Sequence, residues 1–188
     1  MRIVTGYLKS RSLKFPKCIR PTQEKIRKAI FDILGDSIKN SQFLELFAGS
    51  GAVGIEALSN LCREVVFVEN NNICLKILRS NLRTLNLTNY QLINSDVVRA
   101  IEYLNKISKK FDFIFLDPPY FSRQAEKTLK IISQCDILQP SGIIIVEHHR
   151  KDFIDKEYAN LFLCKQKKYS DKILSFFERK EVSKEADR

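Results

Sequence analysis

The tetrapeptide Asp117-Pro118-Pro119-Tyr120 places a carboxylate, a directionally fixed carbonyl and a flat aromatic ring in consecutive positions. Proline locks φ, so two in a row hold the Pro118 carbonyl in one direction relative to Asp117. An amine conjugated to a base ring is a poor nucleophile because its lone pair is delocalised. Two acceptors aimed at its hydrogens turn the nitrogen toward sp³ and localise that pair. Tyr120 offers a face for the base, and such stacking is worth ~1–3 kcal/mol. The chemistry expected of Asp117, Pro118, Pro119 and Tyr120 is therefore attack by an exocyclic base amine on a carbon electrophile, with both partners held in near-attack geometry. The plainer alternative is a proline turn with a helix-capping Asp.

A second constellation lies upstream. Phe47-Ala48-Gly49-Ser50-Gly51-Ala52-Val53-Gly54 contains the spacing GxGxxG. Glycines at such a strand-to-helix turn let the backbone bend sharply, approach a ligand and pack helix on strand. Glu69 follows Gly49 by 20 residues, where a carboxylate receives the ribose hydroxyls of an adenosine cofactor. The loop by itself suits NAD as well as S-adenosylmethionine. Glu45, just before it, favours the second, since an acid there repels a pyrophosphate and tolerates a sulfonium and an ammonium. Asp96, at the end of the third expected strand, is placed either to accept from an adenine amino group or merely to cap a helix. The expected cofactor set is Glu45, Phe47, Ala48, Gly49, Ser50 and Gly51, then Glu69, Asn70, Asp96, Val97 and Asp117. A glycine turn needed only for packing is the alternative.

Elements that position these residues are legible from periodicity. Apolar runs at 43–47, 64–69, 90–93, 111–116 and 142–146 alternate with helical patterns at 52–61, 73–85, 97–107 and 124–135. Continuous apolar strands alternating with helices predict an α/β fold with a parallel sheet covered on both faces. Segments 161–169 and 173–178, joined by Ser170-Asp171, read as an antiparallel hairpin. Upstream, 2–5 and 11–15 read as a hairpin, and Thr22 as the cap of a helix ending at Gly35. The expected division is a basic N-terminal extension over 1–40, a catalytic domain over 41–180 and a polar tail over 181–188. His148 and His149 read as surface or loop residues, and Glu147 either braces the site or ends its strand.

Net charge is +10, and its distribution is uneven. Residues 1–28 hold nine basic side chains and one acid, Glu24, while the rest of the chain is close to neutral. A concentrated basic segment is the footprint of a polyanion partner. Five cysteines without a CxxC pair, and two adjacent histidines, argue against a zinc site or disulfide framework. No apolar run has the roughly 20 residues of a membrane span. The expectation is a cytoplasmic monomer without metal.

Arg20-Pro21-Thr22 with Arg27, Glu45 to Gly51 running into Glu56-Ala57-Leu58, Asp117 to Tyr120, Arg2 to Gly6 and Lys168 to Asp171 together resemble the RsmD family of bacterial 16S rRNA guanine-N2 methyltransferases. The resemblance spans roughly residues 1–180. It implies a Rossmann-like class I methyltransferase fold, a seven-stranded, mostly parallel sheet ending in an antiparallel hairpin. It implies S-adenosylmethionine as cofactor, held by Gly49, Gly51 and Glu69, and a guanine of small-subunit RNA held by Asp117, Pro118 and Tyr120. RNA contact falls to the basic extension, with Arg2, Arg11, Lys14, Arg20, Thr22 and Arg27 as its candidate residues. Glu45 stands where the family has Asp, Glu24-Lys25 where it has Asp-Arg, and Ser170 where it has Gly. The rival readings are a DNA adenine or cytosine amino methyltransferase, a protein-amide methyltransferase, an NAD-dependent dehydrogenase and a non-catalytic RNA-binding protein on the same fold.

Overall fold

Alternate residues of the central strands point to opposite faces, and both faces are apolar. Phe43, Val65, Phe67, Phe113 and Phe115 belong to one buried cluster, and Leu44, Leu46, Val66, Ile114 and Leu116 to the other. Such strands have no stable place except in the middle of a sheet with helices on each side. The computed structural model, which describes residues 1–16 and 22–180, has this arrangement. Its strands are β1 (Gln42–Leu46), β2 (Glu64–Glu69), β3 (Tyr90–Asn94), β4 (Phe111–Leu116), β5 (Leu138–His149), β6 (Glu157–Tyr158), β7 (Leu161–Tyr169) and β8 (Lys172–Arg179). Its helices are α1 (Glu24–Leu34), α2 (Ala52–Ser59), α3 (Asn72–Thr84), α4 (Val97–Lys106) and α5 (Gln124–Gln134).

The sheet order is β3-β2-β1-β4-β5-β8-β7-β6. The first five strands in that order are parallel, and the last three are joined antiparallel. Strand order reverses between β1 and β4, and open α/β sheets bind ligands at the carboxyl ends of the strands flanking such a switch point. Apolar residues of α1, α2 and α3 pack with one cluster and those of α4 and α5 with the other. The expected fold class is thus observed, with the two-residue β6 added at the edge of the seven expected strands.

Three local expectations are corrected. β5 starts at Leu138 and runs on through Glu147, His148 and His149, which pair with Leu174, Ile173 and Lys172 of β8. The long antiparallel partner draws these residues into the sheet, so His148 is a buried strand residue, not a surface one. The N-terminal hairpin has no extended strands, only an isolated bridge between Arg2 and Ser12 with backbone hydrogen bonds from Ile3 to Arg11, Ser10 to Ile3 and Leu13 to Met1. Thr22 does not cap α1. Gln23 occupies the cap position without a side-chain bond, and α1 does stop at Gly35.

The N-terminal segment is built into the body. Ile3, Leu8 and Leu13 are buried in the same cluster as α2 and α3. Glu56 of α2, fully buried, accepts from the Val4 backbone N–H (2.7 Å), the Thr5 N–H (3.0 Å) and the Thr5 hydroxyl (2.7 Å). Ser170, in the two-residue link between β7 and β8, has φ 57°. Glycine reaches that region without strain, so the serine accepts a small local cost.

Candidate active site

A cavity of about 520 Å³ opens at the carboxyl ends of β1 and β4, within the size range of small-molecule sites. Its lining includes Glu45 and the loop from Phe47 to Ser50, Glu69 and Asn70, Asp96 and Val97, and Asp117 through Tyr120. Two stretches more than 60 residues apart therefore meet at one place, because β1 and β4 are neighbours in the sheet.

The glycine loop is shaped by backbone constraints. Gly51, with φ 74°, is the left-handed residue from which α2 starts. Gly54 lies against β2, where an added Cβ would stand 2.4 Å from the Phe67 ring and 2.7 Å from Glu45 Oε2. The first of these glycines serves the turn and the second the close packing. Phe47, a non-glycine residue at φ 59°, stores local strain beside the cavity.

Four acids line the cavity, Glu45, Glu69, Asp96 and Asp117. Glu69 accepts from the Gly49 N–H at 2.7 Å and from the Asn70 and Asn71 N–H groups at 2.9 and 2.8 Å. A carboxylate has about four acceptor positions. Glu69 thus clamps the glycine loop to the start of α3 and retains room for about one ligand hydroxyl. Glu45 accepts from the N–H groups of Gly54 (2.9 Å) and Val53 (3.3 Å) at the start of α2. Burial pushes the Glu45 carboxyl up to about 8. The two backbone donors oppose that shift, and the charges of Asp117 and Glu69 add to it. Asp96 caps α4, accepting from the Val98 N–H at 2.8 Å, and lines the cavity as well.

Asp117 directly follows β4 and accepts a 2.9 Å hydrogen bond from the Thr22 hydroxyl at Oδ2. Pro118 is buried and Pro119 exposed. Tyr120 is half-buried, and its hydroxyl donates to Glu147 Oε1 at 3.2 Å. Glu147 is fully buried and ion-paired with the equally buried Lys172. The Lys172 ammonium sits 5.8 Å from the centre of the Tyr120 ring, a cation–π distance. The His149 ring lies 5.8 Å from Tyr120 and 4.8 Å from the exposed Phe121. A buried ion pair, a tyrosine and an aromatic rim thus form one connected wall.

The family described as conserved hypothetical protein 95 matches residues 1–178. The chain belongs to this family, the RsmD family. It is 35% identical to YlbH of Bacillus subtilis over 90% of this chain and 94% of that protein. It is 33% identical to ribosomal RNA small subunit methyltransferase D of Buchnera aphidicola from Acyrthosiphon pisum, over 81% of this chain and 80% of that one. It is 30% identical to the protein of the same name from Escherichia coli K12, over 89% and 84%. Among solved structures, yhhF of Escherichia coli superimposes with a TM-score of 0.84 at 29% identity, covering 96% of this chain and 98% of its own.

Within this RsmD-family chain the structure gathers the residues read as catalytic and, Gly51 excepted, those read as cofactor-binding around the one cavity. The residues read as RNA contacts divide. Arg2, Arg11 and Lys14 are exposed. Arg20 lies outside the described residues. Thr22 faces Asp117 instead of solvent. Arg27 is a correction. It is fully buried, with Nε 3.3 Å from Glu56 Oε1, and its terminal nitrogens donate to the carbonyls of Thr22 (2.7 Å) and Arg2 (2.6 Å). Its guanidinium is spent inside the protein, because the N-terminal segment folds back over α1 and needs its carbonyls satisfied.

Three residues of the site were not singled out in the sequence. Lys172 stands next to an apolar run, which hides its burial. Phe121 follows directly on the tetrapeptide. Asn81 sits among Leu78 and Leu82 on the buried side of α3, and polarity at a core position was its available signal. Its amide donates to the carbonyls of Ser50 (3.1 Å) and Lys14 (3.0 Å), and its oxygen accepts from the Lys14 N–H at 2.8 Å. One side chain thereby ties the glycine loop to the N-terminal segment.

Proposed function

We propose that this chain methylates small-subunit ribosomal RNA with S-adenosylmethionine, and that the group modified is the exocyclic N2 amine of a guanine in 16S rRNA. Its family and the names of its relatives support RNA methylation, and the tetrapeptide at the switch point supports an amine as the acceptor. The observation that carries the cofactor reading is the acid-ringed cavity. Glu45 is buried with Asp117 and Glu69 near enough to raise its pKa further, so the cavity gains most from a cationic guest. A sulfonium cofactor bearing an ammonium group fits that demand, and a pyrophosphate does not. When bound, the cofactor supplies an electrophilic methyl carbon.

The chain's own residues do the remaining work. Glu69 and the glycine loop bind the adenosine end, and Asp96 stands at the same edge of the sheet. Tyr120 receives the base on its ring, held in place through its hydroxyl by Glu147 and along one face by Lys172. Asp117 and the Pro118 carbonyl would accept hydrogen bonds from the two amine hydrogens, localising the nitrogen lone pair for attack. The Thr22 hydroxyl holds one Asp117 oxygen, which orients the other. After transfer, the nitrogen's extra proton passes to Asp117 or to water. Holding nucleophile and electrophile at near-attack distance is the principal contribution to rate.

The reading extends to an RNA within the small ribosomal subunit, to a monomer without metal, and to the cytoplasm. Methyl transfer from a sulfonium to an amine needs no Lewis acid. Among the described residues, no helix is long and apolar enough to cross a membrane. The test is transfer from labelled S-adenosylmethionine to undermodified small subunits, followed by digestion and mass spectrometry of nucleosides. N2-methylguanosine is expected. Another methylated base discards the guanine assignment, and no transfer to subunits, free rRNA or DNA discards the enzymatic reading.

A further inference from the structure

From Asn70 to Ser95 the chain contains no acidic residue, and its only charges are Lys76, Arg79 and Arg83. All three lie on α3 at helical spacing, so they share one face of the helix. All three are exposed, and among the described residues none is in an ion pair. Together with Ser80 and Thr84 they line a surface concavity of about 450 Å³. Its lining is therefore three cations and two hydroxyls, a donor set suited to phosphate oxygens. On two other helices the charge is partly paired. On α1 Lys28 is paired with Asp32, and on α5 Lys130 with Glu126.

The place of this face makes it specific. The Lys14 ammonium donates to Ser80 at 3.1 Å, so the N-terminal segment lies alongside the concavity. The next residue, Phe15, lines the methylation cavity. The first turn of α3 lines it too, through Asn71 and Cys74. A continuous path thus leads from the cavity past Lys14 onto Lys76, Arg79 and Arg83. Lys76 and Arg83 are separated by about 10 Å along the helix axis at ~1.5 Å per residue. That length suits a few successive phosphates of one strand.

We propose that the Lys76–Arg79–Arg83 face of α3 is a phosphate-binding track, which grips the RNA backbone leading away from the base held in the cavity. The proposal rests on the RNA-methyltransferase reading above and adds a contact surface outside the basic N-terminal segment. Cations that neutralise phosphates release counterions, at about 0.7 in log–log salt slope per contact for a single strand. Three contacts therefore account for a slope of about 2, or about a hundredfold in affinity across a tenfold change in salt.

The test is RNA binding by the full chain over a salt series, with an undermodified small-subunit rRNA fragment as probe. Lys76→Gln, Arg79→Gln and Arg83→Gln are combined in one variant, and Arg99→Gln with Lys106→Gln on α4, against the opposite face of the sheet, forms the control. The expected result is a slope shallower by about 2 for the triple variant and unchanged for the control. S-adenosylhomocysteine affinity should be equal in all three proteins, which shows that the fold is retained. In turnover, KM for RNA rises and kcat at saturating RNA stays within about twofold. Arg79→Gln alone gives about a third of the slope change if the triple variant is poorly folded. A wild-type protein that methylates RNA beside a triple variant with wild-type slope overturns the track and leaves the enzyme reading intact. A wild-type protein that neither binds nor methylates RNA overturns both.

Discussion

Replacing Arg27 by methionine separates two roles that one residue type can have. An arginine in a basic segment is ordinarily a phosphate contact, and its loss weakens RNA binding without harming the fold. The structure gives Arg27 the other role, with a fully buried guanidinium held by Glu56 and by the carbonyls of Thr22 and Arg2. Removing one partner of a buried pair strands the other charge and costs about 3–5 kcal/mol. Two carbonyls lose donors as well, so the upper part of that range applies. For a chain of this length each kcal/mol lowers the melting temperature by about 2–4 °C, so a loss of about 4–5 kcal/mol shifts it by roughly 8–20 °C. Chemical denaturation and thermal melting with and without S-adenosylhomocysteine measure it. Arg27→Lys keeps the charge but not the fork of donors, and should lie between the two. Glu56→Gln combined with Arg27→Met removes the stranded charge while keeping an acceptor for Val4 and Thr5, and should recover part of the loss. The salt slope for RNA should be the same in every variant that remains folded. A folded Arg27→Met protein with full stability and a slope smaller by about 0.7 would refute the brace and restore the phosphate contact.

Glu45 predicts a pH signature. Its carboxyl is pushed up from an ordinary 4.5 to about 8 by burial, the nearby charges of Asp117 and Glu69 adding to the shift. The folded state thus holds a proton that the unfolded state releases, and this group's contribution to stability declines as pH rises from about 4.5 to 8. Denaturant titrations at pH 5 and pH 8 should show a loss of order 3–4 kcal/mol that is absent in Glu45→Gln. A cationic ligand draws the same pKa down, so calorimetry near pH 7 in buffers of different ionisation enthalpy should report proton release on cofactor binding; equal heats after buffer correction would contradict it. Lys172→Met leaves Glu147 buried without its cation and should cost about 3–5 kcal/mol. Adding Glu147→Leu should recover most of the stability but not the activity, since the Tyr120 hydroxyl then loses its bond to Glu147; full recovery of kcat/KM in the double variant would remove the pair from the positioning of Tyr120.

Strands such as Glu64–Glu69 and Phe111–Leu116 were legible to the residue, because a strand buried on both faces leaves a continuous apolar run. The amino end of β5 was not, since Gln139, Pro140 and Ser141 break the run while the backbone continues to pair at Leu138. The cavity was legible because its glycines, Glu69 and the tetrapeptide each sit at the end of a recognisable strand. What the residue order concealed were pairings across long stretches of chain. Arg27 meets Glu56, Glu147 meets Lys172 and Thr22 meets Asp117. In each case a polar residue that reads as exposed is buried because its partner arrives from another element. The charge of α3 was concealed differently, since a near-neutral average over residues 29–188 hides a local stretch without acids.

Asn81 gives the molecule a form of reciprocity. Its amide group joins the Ser50 carbonyl of the glycine loop to both backbone groups of Lys14, whose side chain reaches the α3 face. A guest that fixes the glycine loop therefore also reduces the freedom of Lys14, and an RNA strand that immobilises Lys14 returns the same free energy to the loop. Whatever factor the cofactor contributes to RNA affinity, the RNA must contribute to cofactor affinity. The coupling by itself then favours neither ligand as the first, and the order in which they fill follows from each concentration relative to that ligand's own Kd.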